Sequence, residues 1–279
     1  MTLDFFSPLF RSQLEFAASA FAVAFAIEWF LPATRRRSWG ALGFNLVVAL
    51  IFIYLTTLLA PPLSAALDPL KQHYGHWVPV HFPDGLAGSI LQTLSFFFVF
   101  DFFFYWWHRG QHRFQWLWAQ HRFHHQEQWL NVTTVHRYHF TEELFRAFVI
   151  YLPMSIVFDF KPVTVVWFWT MFTLWGYWIH MNVRIHLGPV GRWISGPQFH
   201  RLHHTPEHRR NFAAFFPIWD RVFGTYVHPQ DQQYPELVGL DDATDGNTLY
   251  DATLYPIVEW GKALGRAFHV AGTRVQRPS

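Results

Sequence analysis

Three apolar runs, each about long enough to cross a bilayer as a helix, constrain this chain more than any other feature of it. Residues 14–32 form the first, with Glu28 near its end; residues 41–63 form the second, without a charge; residues 86–107 form the third, rich in Phe and interrupted only by Asp101. In the hydrocarbon core every backbone N–H and C=O must be satisfied within the segment, so such runs fold as spanning helices. Two shorter stretches, 144–158 and 162–180, read as spans joined by a tight turn at 159–162, a hairpin that crosses only in part. From Met181 onward the chain is polar and mixed, with no further span. The expected architecture is all-α: one domain over residues 1–279, a multi-pass membrane helix bundle of about four to five spans with a helical cap on one side.

Composition fits this reading. The chain is 51% hydrophobic and 20% aromatic, and its 14% of charged residues compares with roughly a quarter in soluble domains. Aromatic borders at 105–107 and 175–178 read as interfacial belts. The first residues are not a basic leader and the first apolar run is long enough to span, so no cleavable signal peptide is expected. The absence of Cys excludes disulfide frameworks, thiolate zinc sites and Cys nucleophiles. A net charge of +2 without a basic stripe gives no reason to expect nucleic acid.

Positive charge in short loops sets membrane orientation. Arg35, Arg36 and Arg37 lie between the first two spans, Arg109, Arg113 and Arg122 follow the third, and Arg184 and Arg192 follow the last. Alternating crossings put all three groups on one side, expected to be cytosolic, with the N-terminus outside. The other side receives the 64–85 loop, with Lys71 alone, and the turn at 159–161.

Histidine is the anomaly, with 18 residues gathered in short clusters. After the third span comes His108-Arg-Gly-Gln-His112, whose i, i+4 spacing puts both imidazoles on one helical face. His121-Arg-Phe-His124-His125 repeats the idea at i, i+3, i+4, and His200-Arg-Leu-His203-His204 repeats it again far along the chain. His180 stands alone at the end of the last span. All fall on the side assigned to the cytosol. These nine histidines exceed what one four-coordinate zinc needs, so two metals are the economical inference. Imidazole suits zinc, copper, iron or nickel, and ligand type alone does not choose among them.

Taken together, the boxes resemble the fatty acid hydroxylase and sterol desaturase superfamily of integral membrane di-iron oxygenases. Its H-x3-H box, H-x2-HH box, lone His and final H-x2-HH box occur here in that order. The flanks match as well: Asp101 and Tyr105 before His108, Leu117 and Trp118 before His121, Asn131 with Thr134, and the stretch Trp219-Asp220-Arg221-x-Phe223-Gly224-Thr225. The resemblance covers roughly residues 100–227, and Trp178-Ile-His180 followed by Leu187-Gly188-Pro189 is similar to the alkylglycerol monooxygenase branch. Departures are Gln126 where Ser is frequent, Phe140 where Pro is frequent, and Asn211-Phe212-Ala213 in place of Asn-Tyr-Gly.

The resemblance implies nine iron ligands, His108, His112, His121, His124, His125, His180, His200, His203 and His204, holding two Fe ions. It implies O2-dependent hydroxylation, or desaturation, of a C–H bond in a lipid or sterol-like substrate. No Gly-rich dinucleotide fingerprint is present, so electrons are expected from a separate donor: a ferredoxin, a cytochrome or a pterin. Asp101, seven residues before His108 and thus nearly on its face, is expected to orient a ligand imidazole, as outer carboxylates do. His139 and Glu142 are expected to support the site by hydrogen bonding to each other, or by closing the pocket. Glu28 is read as snorkelling, Asp220 and Arg221 as a pair fixing the C-terminal segment, and His136, His186, His208 and His228 as ordinary. His73, His76 and His81 fall in the opposite loop. Two rivals stand beside this reading. A membrane zinc hydrolase would show a helical H-E-x-x-H, which is absent; a metal transporter would place ligands inside the spans.

Overall fold

The computed structural model describes residues 7–75, 77–159, 162–207, 209–242, 244 and 246–275, with backbone alone at 162–166 and 267–275. His76, His208 and the residues 160–161 of the expected hairpin turn lie outside the described residues. All regular structure among the described residues is helical, apart from isolated bridges.

Among the described residues three helices are long and apolar enough to cross a membrane: α1 (Pro8–Phe30), α2 (Trp39–Tyr74) and α3 (Leu86–Arg113). Ser7 and Ser38 start the first two by accepting the backbone N–H of Phe10 and Ala41, the usual relief of an orphan donor at a helix start. Their outer faces carry exposed Val23, Ile27, Leu46, Val47, Leu50, Ile90, Leu91 and Leu94, as expected of surfaces that face lipid.

The 64–85 segment, expected as a loop, starts as helix. α2 has 36 residues, about 54 Å at 1.5 Å per residue, well beyond the ~30 Å hydrocarbon core. Pro61, Pro62 and Pro69 lie inside it; each lacks only its own N–H, and the helix-forming Ala65, Ala66 and Leu67 continue the ladder between them. The fourth expected span, 144–158, belongs to a helical run built from α5 (Thr141–Arg146), a π turn (Ala147–Tyr151) and α6 (Leu152–Val157). That run spans about 25 Å, and it starts with Glu142 and Glu143, so it crosses only in part. α7 (Pro162–His180) ends at the lone His.

At one end of the bundle, the residues after α2 meet the end of α6. Trp77 and Val78 donate to the carbonyls of Ile156 and Val157 at 3.3 and 2.7 Å. The 64–85 segment and Asp159, whose N–H donates to the Val78 carbonyl at 3.4 Å, therefore share an end, as the charge pattern requires. At the other end lie the short helices α4 (Gln115–His125), α8 (Pro197–His203) and α9 (Ile218–Val222), with α10 (Tyr255–Val275) packed against α4.

Two apolar cores hold the bundle. Phe10, Ala17, Phe21, Ile53, Val132 and Tyr177 join α1, α2, α7 and the 3-10 turn Val132–His136. Phe96, Phe100, Ile150, Met154, Phe168 and Phe215 join α3, the α5–α6 run and α7. Glu28 does not snorkel: it is 4% exposed and accepts the backbone N–H groups of Val132 and Asn182 at 2.8 and 2.9 Å. A carboxylate at the end of α1 thus ties down the segments that leave α4 and α7. The expected belts are also partly internal. Trp107 and Tyr105 are buried, and Trp175 donates its indole N–H to the Ala214 carbonyl and Ser195. Trp106 alone of the first border is well exposed.

Candidate metal centre

The helical spacing of the boxes does what it predicts locally, and the fold then brings the boxes together. α3 supplies His108 and His112, α4 supplies His121, His124 and His125, α7 supplies His180, and α8 with its C-cap supplies His200, His203 and His204. All nine are buried and fall into two sets: His108, His112, His121, His125 and His203 in one, and His124, His180, His200 and His204 in the other. Within each set one ligand atom per residue lies within 4.8 Å of all the others. His124 and His125, neighbours in sequence, feed different sets because adjacent helical residues point about 100° apart.

Backbone carbonyls fix several tautomers. The Nδ1–H groups of His108, His180 and His203 donate to the carbonyls of Phe212, Gly176 and Arg210 at 2.7, 2.7 and 2.8 Å. This leaves their Nε2 lone pairs facing inward, the arrangement that orients metal ligands elsewhere. In the second set Nε2 of His180 lies 3.2 Å from that of His124 and 2.9 Å from that of His200, which lies 3.1 Å from that of His204. Converging lone pairs repel unless a cation sits among them. His121 Nε2, and Nδ1 of His124, His200 and His204, are buried without a hydrogen-bond partner, which ordinarily costs about 1–3 kcal/mol each. Burial first, and then the neighbouring imidazoles, hold His124, His125, His200 and His204 well below the ordinary pKa. Neutral imidazoles are what a metal ion takes up. The donor set thus fits two metal ions.

Glu142 lies behind this site. Its carboxylate contacts His121 Nδ1 at 3.3 Å and accepts the Gln111 amide at 2.9 Å. Burial alone would raise its pKa, but His121, Arg146 and Gln111 keep it below the ordinary value. Gln111 has no distinctive sequence signal beyond being a polar residue inside the first box. Tyr138 was also unmarked: its ring stacks on that of His124, centroids 4.6 Å apart.

Asp101 does not meet an imidazole. Its oxygens accept the backbone N–H groups of Ala214, Phe215 and Phe216 at 2.8–3.0 Å. Two helical turns put it about 10 Å from His108 along α3, on the right face but out of reach. Asp220 does not pair with Arg221 but accepts from the N–H groups of Phe212 and Ala213 and from the Thr225 hydroxyl; Arg221 lies over the Trp193 ring. Two carboxylates thus clamp the 212–216 backbone, whose Phe212 carbonyl accepts the His108 Nδ1–H. Asn211 starts this segment at φ 56° and is fully buried; Asn tolerates this left-handed conformation better than most residues.

The His139 imidazole does not bond the Glu142 carboxylate; the two residues meet only through the backbone, the Glu142 N–H donating to the His139 carbonyl at 2.9 Å. Its Nε2–H donates to the Thr253 carbonyl at 2.9 Å, and its Nδ1 lies 2.7 Å from the Thr141 hydroxyl, so it fastens the segment before α10. His136 bonds the Tyr177 hydroxyl, His186 bonds Gln198 and His228 bonds Tyr226, while His73 and His81 are exposed at the far end. Arg137, fully buried, joins the end of α4 to α2 by donating to the Phe123 carbonyl and to Asn45. A cavity of about 170 Å³ opens between the two cores and reaches His108, His121, His124, His180 and His200.

Residues 93–225 match the fatty acid hydroxylase family. The chain is 32% identical over 176 residues to an alkylglycerol monooxygenase of Danio rerio, covering 62% of this chain and 39% of the relative. It is 32% identical to the Homo sapiens alkylglycerol monooxygenase over 47% of this chain and 30% of that one. It is 28% identical to the ornithine lipid hydroxylase OlsE of Rhizobium tropici over 60% of this chain and half of the relative. The chain thus spans well under half the length of these monooxygenases, and no solved structure matches it. The matched stretch holds every box histidine of this integral membrane protein and is similar to the fatty acid hydroxylase family and, within it, to the alkylglycerol monooxygenases.

Proposed function

We propose that this protein is an O2-dependent membrane oxygenase that hydroxylates, or desaturates, a C–H bond of an amphiphilic lipid, using two iron ions and electrons from an external donor such as a ferredoxin, a cytochrome or a pterin. The observation that carries it is the meeting of two buried all-imidazole sets with a cavity lined by membrane helices. The relatives' names, alkylglycerol monooxygenase and ornithine lipid hydroxylase, point to lipids of this kind. Iron held by such sets supplies the reduction of O2 and the oxidising power to remove an unactivated hydrogen.

The protein's own part is positional. Phe212, Gly176 and Arg210 carbonyls hold three ligand rings with their free nitrogens inward. Phe104, Trp169, Phe172 and Trp175 line the rest of the cavity and keep bulk water from the reacting carbon. His108 and His121 from the five-His set, and His124, His180 and His200 from the four-His set, face the cavity, so substrate would approach both centres from one side.

The test is metal analysis alongside product formation. Active protein should hold about two iron ions per chain, the number its two ligand sets call for. His204→Ala should lose about one of them and abolish turnover, because no neighbouring residue at helical spacing can replace the missing imidazole. Fully active protein with a single metal, or with zinc alone, would end the proposal.

A further inference from the structure

Helix α10 has one side packed and another that no described residue covers. Pro256 is buried, and Trp260 donates its indole N–H to the Trp116 carbonyl at 2.7 Å, so that side lies on α4. At about 100° per residue, Ile257, Val258 and Leu264 fall within an arc of about 120°, and all three are exposed. Only Gly261 and Gly265 share that arc between residues 255 and 266, so no polar side chain interrupts it. Leu254, just before the helix, is exposed as well. Glu259, Lys262 and Arg266 occupy a separate arc beside the apolar one, with Lys262 paired to Glu259 at 2.7 Å. With these charges and Arg274 in 21 residues, α10 is too polar to cross a bilayer.

The neighbours of α10 decide what covers the apolar arc. Trp116, whose carbonyl binds Trp260, stands just after the end of α3. The Trp260 ring lies 6.0 Å from that of Phe145, and Phe145 lies 5.8 Å from Trp116. Phe145 belongs to α5, and the outer face of that helical run exposes Leu144, Phe148 and Val149, as a lipid-facing surface does. Phe114 and Trp116 are exposed at the end of α3. His139, just before α5, donates to the Thr253 carbonyl, just before α10. The apolar arc therefore continues the lipid-facing surface of α3 and α5, at the level where both leave the hydrocarbon. Trp is the residue favoured at that level, its ring in the acyl boundary and its N–H among polar groups.

Charge supports the same occupant. Lys262 and Arg266 flank the apolar arc and are exposed, and long basic side chains of this kind extend to the headgroups while the apolar face is immersed. A soluble partner would need α10 to project away from the membrane, whereas its contacts hold it against the membrane edge of the bundle.

We infer that α10 is an in-plane membrane helix, lying along the bilayer surface at the metal-site end with Ile257, Val258 and Leu264 in the boundary between headgroups and acyl chains. Helices with one apolar and one charged face bind bilayers in this way. α4, which carries His121, His124 and His125, is then flanked on its outer side by a helix that the bilayer holds in place. The inference does not depend on the oxygenase reading and requires neither metal nor substrate.

The chain has no Cys, so single cysteines at positions 257, 262, 264 and 266 each carry one nitroxide label in full-length, metal-free protein in phosphatidylcholine nanodiscs. Depth is read from collisions of the label with O2, which concentrates in lipid, against collisions with a water-soluble nickel chelate. Labels at 257 and 264 should lie about 5–10 Å below the phosphates, and labels at 262 and 266 at their level or above it. Water-like exposure of all four would overturn the inference, since α10 would then be a solvated helix. Shielding of 257 and 264 from both O2 and nickel, with spin–spin broadening between copies, would overturn it by giving the face to a second chain. A second arm needs no label. The Ile257→Asp, Leu264→Asp double variant should release the face, and trypsin cleavage after Lys262 and Arg266 should quicken by about 10-fold in the same nanodiscs. An unchanged cleavage rate would overturn the inference as well.

Discussion

Asp101 shows how far a side chain's chemistry can be read from its register. The seven-residue offset from His108 is legible and does place the two on one face of α3. The distance along the axis decides the partner, and at two turns that partner is the 214–216 backbone, a segment more than a hundred residues away. No pattern in the sequence announces that meeting, because backbone N–H groups carry no residue signature. The same blindness hides the carbonyls of Gly176, Arg210 and Phe212, which set the ligand tautomers. Asp101→Asn should keep both metals, because the imidazoles are untouched. An amide offers one acceptor oxygen where three N–H groups now converge, so stability should fall by about 1–3 kcal/mol. Metal analysis beside chemical denaturation separates the two effects; loss of metal without loss of stability would return Asp101 to the role of ligand orienter.

Elements were legible where periodicity was strong and obscure where a helix changes its surroundings. α2 and α3 contain their expected apolar runs and α1 all but the last two residues of its own, and each extends into residues that hydropathy alone cuts off. The 144–158 stretch is a short helical run, as its length suggests, but its start at Thr141 and its π turn were not legible, because Glu142 and Glu143 interrupt the apolar pattern there. The 3-10 turn Val132–His136 lies within the family motif, yet its location between α1, α2 and α7 depends on the Glu28 and Asn131 hydrogen bonds. Burial there pushes His136 down to about 3. Its unfolded value is about 6.5, so protonation favours the unfolded chain. The stability it contributes is complete above pH 6.5 and is lost progressively as the pH falls toward 3. One such proton changes stability by about 1.4 kcal/mol per pH unit. In metal-free protein unfolded between pH 6 and 5, His136→Gln should show a slope smaller by one proton than the parent; equal slopes would mean that His136 is not held neutral.

At the scale of the whole molecule, the charge pattern and the fold agree on which segments share an end. Arg35–Arg37, the box helices and Arg184 gather opposite the end where Trp77 and Val78 meet α6. Which end faces the cytosol is a matter for labelling, and the structure improves the choice of reporter. Ser195 is a poor one, since it is 1% exposed and bonded to the Ala214 carbonyl. Val190 is 54% exposed at the metal-site end and His73 is exposed at the other. The chain has no Cys of its own. A Cys at position 73 should react with an impermeant thiol reagent from outside intact cells, and one at position 190 should react only after lysis. The reverse pattern would place the metal site outside.

The split of α4 between two ligand sets has a consequence for how the protein is made. His108, His112, His121 and His125 are all made before the ribosome reaches α7, so four of the five imidazoles of one set exist early. Of the other set only His124 exists then; His180, His200 and His204 arrive with α7 and α8. A metal ion met during synthesis would find one ligand set nearly built and the other absent. The second set closes only once α8 has packed on α7 and brought His200 and His204 to His124 and His180, so its completion is a late step, taken by a chain already threaded through its membrane.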